Sequence, residues 1–317
     1  MYYSIHHSTR FRYSKPVSES IMEVRMHPRS EGIQRCLTFD LRLSPRTQVS
    51  FYRDFHGNVV HHFDVPRSHS QLSINARAVV EMSAPIPVPR ALDEAAWNEV
   101  DRMIAGGDYF FELEPSRFTQ PSEHLRQLAR ELSIEQRRGD PLSLLRELSA
   151  SIHDYFDYAP QSTRVDSLID DALASRKGVC QDFAHIMIAL VREFLQLPCR
   201  YVSGYLFHVV EYHDRSAADA THAWLEVMLP GLGWVGFDPT NDLIAGARHI
   251  RVAIGRDYRD VPPTRGIFKG TSESELSVAV EVTPCEAPPI HEEPDRFMTQ
   301  PPADQLTAQQ QQQQQQQ

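Results

Sequence analysis

An α+β chain is predicted, in which a small antiparallel β domain precedes a mixed helical and β core. Three observations predict it. Apolar residues recur at period two through the first 82 residues, helical spacing takes over from Ser122, and an alternating strand pattern returns after Arg200.

The first segment, 1–82, opens with Tyr3, Ile5, His7, Thr9, Phe11 and Tyr13 at alternate positions, a half-buried strand. Leu37, Phe39, Leu41 and Leu43 alternate likewise, as do Val59 and Phe63 after the turn His56-Gly57-Asn58. So do Leu72, Ile74, Ala76 and Ala78. Several short strands joined by turns make a small antiparallel sheet or sandwich.

Residues 83–121 read as a linker. Ser83–Arg90 holds three prolines in eight residues, and proline lacks the donor that a sheet or helix interior needs. A short helix is expected from Leu92 to Ala105, and Pro115–Pro121 is a second break. From Ser122, Leu125, Leu128 and Leu132 share one helical stripe, and Leu142, Leu145, Leu148, Ile152 and Phe156 another. A third helix follows Arg176-Lys177-Gly178-Val179, and strands then run to about Val282. The core is thus expected over 122–284. Residues 285–317 are rich in proline and end in nine glutamines, too polar to offset their ordering entropy, so disorder is expected there.

Composition excludes several classes. A formal net charge of −10 argues against nucleic acid or an anionic membrane as the main partner. The longest apolar run is the six residues Ile186–Val191, against roughly 20 needed to span a bilayer. The N-terminus MYYSIHHSTRFRYSK has no apolar secretory core. Cys36, Cys180, Cys199 and Cys285 form no CxxC pair, so neither a disulfide framework nor a structural zinc site is expected. A cytoplasmic protein with free thiols is the expectation.

One thiol stands apart. In Lys177-Gly178-Val179-Cys180-Gln181-Asp182-Phe183, glycine allows a sharp turn, and Phe183 through Leu195 is apolar nearly all round, as in a buried helix. Cys180 therefore falls in the first turn of that helix. The helix dipole and free amides there stabilise a thiolate, and the same N–H groups can hold an oxyanion. Cys36, Cys199 and Cys285 have no such setting and read as buried or exposed structural residues.

A thiolate nucleophile needs a base that a third group orients. Thr221–Leu229 alternates as a strand, Pro230-Gly231-Leu232-Gly233 is a turn, and Trp234–Pro239 returns. If the turn uses residues 229–233, Met228 faces Trp234, and His222 shares a sheet face with Asp238 as a diagonal neighbour. The carboxylate can then fix the imidazole tautomer. A four-residue turn would place the two on opposite faces. Histidines without such a partner, including His62 and His249, read as ordinary surface or core residues.

Together these pieces resemble the transglutaminase-like superfamily. Gly178–Ala184, Pro198–Tyr205, His222–Glu226 and Asp238–Asn241 carry the likeness, four blocks in order. The first 82 residues resemble the N-terminal β region of a bacterial subgroup, through Tyr3-x-Ile5-x-His7, Tyr13-x-x-Pro16-Val17, Pro28-Arg29 and Asp54-x-x-Gly57-Asn58. The likeness spans about 1–284 and implies a papain-like core whose Cys180 helix packs on an antiparallel sheet carrying His222 and Asp238. It implies Cys180 as nucleophile, His222 as base and Asp238 as orienter. The substrate would be a peptide or protein amide, attacked through a thioester. No calcium-ligand cluster like that of the animal enzymes is evident, so no metal or cofactor is expected. Cys199 stands where a small residue such as alanine is common and reads as a packing variant.

Tyr158, Gln181 and Trp224 are further candidates for the cleft. Tyr158 would line it or donate to the oxyanion. Gln181 and Asp182 would cap the helix or shape the entrance, capping being the favoured role. Trp224 would shield the site from water, and His185 would pack inside. Two other classes stand beside the enzyme: a binding or scaffold protein that keeps the fold, and a metal hydrolase built on His61, His62, His208 or His213. The second has no HExxH motif to support it.

Overall fold

The computed structural model describes residues 1–287. Its N-terminal strands are β1 (Tyr2–Val17), β2 (Glu19–Val24), β3 (Gln34–Ser44), β4 (Val49–Arg53), β5 (Val59–Val65) and β6 (His69–Met82). Helices α1 (Ala96–Ala105), α2 (Phe110–Leu113), α3 (Glu123–Glu131) and α4 (Pro141–Tyr155) follow. Next come β7 (Asp157–Tyr158), α5 (Ile169–Ser175), β8 (Lys177–Gly178) and α6 (Cys180–Leu190). Strands β9 (Cys199–Leu206), β10 (His222–Leu229), β11 (Gly233–Asp238), β12 (Leu243–Ile244), β13 (His249–Gly255), β14 (Thr264–Lys269) and β15 (Ser274–Cys285) complete the chain.

Period two in the sequence becomes period two in burial. Tyr3, Ile5, His7 and Thr9 of β1 are all buried, while their neighbours are half-buried or exposed. Two four-stranded antiparallel sheets result, in the orders β15-β1-β6-β3 and β14-β2-β5-β4. Tyr13, Val17, Leu43, Leu72 and Ile74 of the first pack on Met22, Val24, Phe63 and Val65 of the second. The expected division at residue 284 differs from this. Strand β14 and all but the last residue of β15 lie within 122–284 by sequence, yet they are edge strands of the two N-terminal sheets, with Ile5 opposite Val282 and Thr264 opposite Val24. Each supplies a ladder to a strand that would otherwise present a free edge. Cys285 closes β15, so the last described strand reaches one residue into the segment expected to be disordered. The glutamine run lies outside the described residues. The first helix begins at Ala96, four residues later than expected, because Leu92 to Ala95 is a turn segment tied to Asp140 through the Leu92 N–H.

The core is a five-stranded antiparallel sheet, β12-β11-β10-β9-β13. One face meets the helices: Ala223, Leu225, Val227 and Leu229 of β10 pack with Phe183, Ile186, Met187 and Leu190 of α6 and with the apolar stripes of α3 and α4. Helix α4 starts at an Asp140 cap that accepts the N–H groups of Leu142 and Ser143, with Pro141 in the first turn. At the β9–β13 side of the sheet, Tyr205, Ile250 and Val252 pack against Tyr3, Ile5, Val80 and Met82 of the N-terminal sheet. No helix among the described residues is long and apolar enough to cross a membrane.

Strand β13 is an outer strand of this sheet, and N-terminal side chains cover its free edge. Gln34 donates to the Arg251 carbonyl and accepts its N–H, both at 2.8 Å. Asn58 donates to the Ile254 carbonyl at 2.8 Å and accepts its N–H at 2.9 Å. Backbone groups alternate sides along a strand, so residues 251 and 254 would ordinarily point opposite ways. A bulge between Arg251 and Ala253 turns both outward. Asn58 is completely buried, so its loss strands the Ile254 amide and carbonyl. Asn58→Ala is expected to destabilise the protein by about 1–3 kcal/mol, read as a lowered urea midpoint at unchanged slope.

Candidate active site

Local sequence places Cys180. Strands β7 and β8 form a two-residue parallel pair with Tyr158 opposite Gly178. Gly178 has no room for a side chain: a Cβ there would lie 2.8 Å from the Asp182 Cβ. Asp182 Oδ2 accepts the Val179 N–H at 2.8 Å and the Thr163 hydroxyl at 2.5 Å, capping α6. The chain therefore enters α6 by a fixed turn. Cys180 stands half-buried at its start, and the ten residues after it are buried.

The hairpin places the other two. Met228 lies opposite Trp234 and Leu225 opposite Phe237, the register that puts His222 and Asp238 on one face. His222 Nε2 donates to Asp238 Oδ2 at 2.7 Å, and both side chains are essentially unexposed. Burial pushes the His222 imidazolium down. The Asp238 carboxylate, by charge and hydrogen bonding, and then the nearby Cys180 side chain push it up to about 10. With Nε2 committed to Asp238, Nδ1 is the nitrogen left to meet Cys180. It is buried and has no hydrogen-bond partner.

Asp238 is a hub. Its Oδ2 also accepts Asn241 Nδ2 at 2.8 Å and His249 Nε2 at 3.2 Å, and its Oδ1 accepts the backbone N–H of Thr240 at 3.1 Å. Burial pushes this carboxyl up, but His222 and His249 hold it well below the usual carboxylate range. His249 had read as an ordinary histidine. It is a buried donor in the site: its Nδ1 accepts the Gly246 N–H at 3.3 Å, which leaves the proton on Nε2. Burial lowers its pKa, so it donates as a neutral ring. No local signal marks it, because β13 reaches the site by pairing with β9 on the far side of β10. Asn241, noted only as the end of a sequence block, also holds the facing loop. Its Oδ1 accepts the Arg215 N–H at 2.7 Å.

The remaining candidates separate. Tyr158 lies near Cys180: burial, then the charge at Cys180, raises its pKa. Its hydroxyl accepts the Ala217 N–H at 3.3 Å, which ties it to the loop before His222. Gln181 does not cap the helix. Its amide donates to the Val165 carbonyl at 3.2 Å and anchors the loop before α5. Trp224 is fully buried, stacks on His222 at 5.9 Å between centroids, and lies over Gly204, where a Cβ would meet its ring at 2.7 Å. His185 is buried between Phe118 and Tyr201. Cys199 is buried in the core, where burial pushes its thiol up to about 11.

Among the described residues, the His/Cys/Asp/Glu group close enough to share a metal ion is His222, Asp238 and His249. Both Nε2 atoms are spent on the carboxylate, and the His249 tautomer has no lone pair there. The four histidines weighed for a hydrolytic metal do not gather: His61 stacks on Phe39, and His208 lies 3.5 Å from Asp214.

The protonation pattern is measurable. At pH 7.5, nitrogen-15 NMR should show His222 as an imidazolium and His249 neutral. His222 should lose its proton near pH 10. Asp238→Asn removes the charge that raises it while burial remains, so His222 should then be neutral at pH 7.5.

Both parts of the chain have counterparts among known proteins. Residues 3–81 match the bacterial transglutaminase-like N-terminal region, and residues 126–239 match the transglutaminase-like superfamily core. An uncharacterised Mycobacterium tuberculosis protein is 35% identical over 304 residues, covering 91% of this chain and 95% of its own. A Mycobacterium leprae counterpart is 31% identical over 278 residues, covering 87% and 96%. Over 114 residues, 34% of this chain and 17% of the other, the sequence is 34% identical to a Pseudomonas aeruginosa protein-glutamine gamma-glutamyltransferase. A crystal structure from Cytophaga hutchinsonii, described as a candidate cysteine protease, superposes with a TM-score of 0.71 at 22% identity, covering 91% and 93%. The chain belongs to the transglutaminase-like superfamily, in the bacterial group that carries this N-terminal region.

Proposed function

We propose that the chain is a cysteine-dependent acyl-transfer enzyme acting on carboxamide or peptide carbonyls, with Cys180 as nucleophile, His222 as acid and base, and Asp238 as orienter. The observation that carries this reading is the commitment of His222 Nε2 to a fully buried carboxylate, which leaves Nδ1 for the thiol. A proton held at His222 to about pH 10 keeps the facing sulfur paired with a cation.

The Cys180 sulfur attacks the carbonyl carbon, and the oxygen takes up the charge beside the first-turn N–H groups of α6. His222 gives its proton to the leaving amine, the C–N bond breaks, and a thioester to Cys180 remains. Water or a second amine then attacks the thioester, losing its proton to His222, and the thiolate leaves. Water gives hydrolysis and an amine gives transamidation; exclusion of water from the closed site favours the second. Trp224, stacked on His222, and Tyr158, tied to the facing loop, form two walls that limit water at the ring. The Pseudomonas relative's description, a protein-glutamine gamma-glutamyltransferase, supports glutamine-type amides as the acyl-donor class.

Incubation with a glutamine-containing peptide library should yield a mass increase on the Cys180 peptide. Cys180→Ala should lower amide turnover by ~10³-fold or more, as expected for loss of a nucleophile. Turnover in Cys180→Ala at the parent rate contradicts the proposal, and absence of both turnover and a Cys180 adduct in the parent leaves the protein a binding scaffold.

A further inference from the structure

A second concave site lies away from Cys180, where the N-terminal β region meets the core. It encloses about 380 Å³ and is lined by Arg25, Arg256, Arg259 and Arg265, by Asp54, His56 and Asp260, and by Phe55 and Phe111. That volume lies within the range of small-molecule sites. Four guanidinium groups converge on it in a chain whose formal charge is −10.

The carboxylates present do not neutralise them all. Arg256 pairs with Asp260 at 3.4 Å, and His56 shares that carboxylate at 3.6 Å. Arg25 lies 3.4 Å from Glu23 and 3.5 Å from Asp54. Arg25 is nine-tenths buried, yet its Nε makes no hydrogen bond. Among the described residues, Arg259 and Arg265 enter no ion pair, and both are exposed. Planar guanidinium groups take the oxygens of a carboxylate or phosphate two at a time, and that geometry is unused here.

The aromatic part is equally specific. Phe55, in the turn after β4, is 78% exposed, and Phe111, in α2, is 47% exposed. Their rings meet edge to face at 5.3 Å. Two exposed rings beside free cations offer an apolar wall to a ligand whose charge lies at one end.

We propose that this cavity binds a small aryl oxyanion, its carboxylate or phosphate held by Arg259, Arg265 and Arg25 and its ring packed on Phe55 and Phe111. Calorimetric titration of the full-length protein at low ionic strength tests this with phenyl phosphate, benzoate, inorganic phosphate and phenol. Saturable one-to-one binding of phenyl phosphate or benzoate supports the site, and the tighter of the two identifies the head group. Inorganic phosphate should bind more weakly, and phenol should give no heat. Arg259→Ala with Arg265→Ala should weaken the aryl anion about tenfold or more, at an unchanged melting temperature, since both side chains are exposed. Phe55→Ala should weaken the aryl anion but not phosphate. The proposal is overturned if neither aryl anion saturates, if phenol binds equally well, or if the double variant binds like the parent.

Discussion

A single buried carboxylate organises the candidate site. Asp238 is wholly enclosed, and an ionised carboxylate in that position is stable only because N–H groups surround it. Two imidazoles, one side-chain amide and backbone amides of the Asp238–Asn241 turn supply them. The charge so protected is what raises the proton affinity of His222, against a burial that alone would lower it. The two histidines on Oδ2 are not equivalent. His249 is held neutral by the Gly246 N–H on its far nitrogen and acts as a fixed donor. His222 has its far nitrogen open toward Cys180.

The N-terminal β region belongs to the support of that site. It covers the outer edge of β13 through Gln34 and Asn58, and β13 carries His249. His7 of β1 bonds the Tyr205 hydroxyl at 2.9 Å, on the strand next to the one that bears His222. The Val280 N–H of β15 donates to the Asp219 carbonyl at 2.9 Å, three residues before His222. Loss of packing in the β sheets would therefore be felt as misplacement of the His222 strand, which connects stability of one region to geometry in the other.

Much of this could be read from the sequence because the relevant signals are local. Alternation marked β1, β3 and β6, and a glycine before an all-apolar run marked the Cys180 helix. The 229–233 turn, taken at its five-residue length, placed Met228 opposite Trp234 and so brought His222 to Asp238. What could not be read depends on pairing between distant segments. Nothing near Ser274–Cys285 announces that it returns to lie beside Tyr2–Tyr13, because strand pairing has no residue code at that separation. His249 was missed for the same reason: its partner is set by sheet order. Gln181 and Asp182 both read as caps by position, but Asp182 alone has the reach to accept the Val179 N–H, and Gln181 turns to Val165 instead.

Cysteine reactivity across pH tests the central claim most directly, because the other thiols are an internal control. Burial pushes Cys36 and Cys199 up to about 11 and also raises Cys285. Iodoacetamide at pH 5.5, followed by peptide mass spectrometry, should label Cys180 selectively in the parent, and Asp238→Asn should remove that selectivity. Equal labelling of Cys180 in the parent and in Asp238→Asn would contradict the account, since the carboxylate would then have no hold on the sulfur through His222.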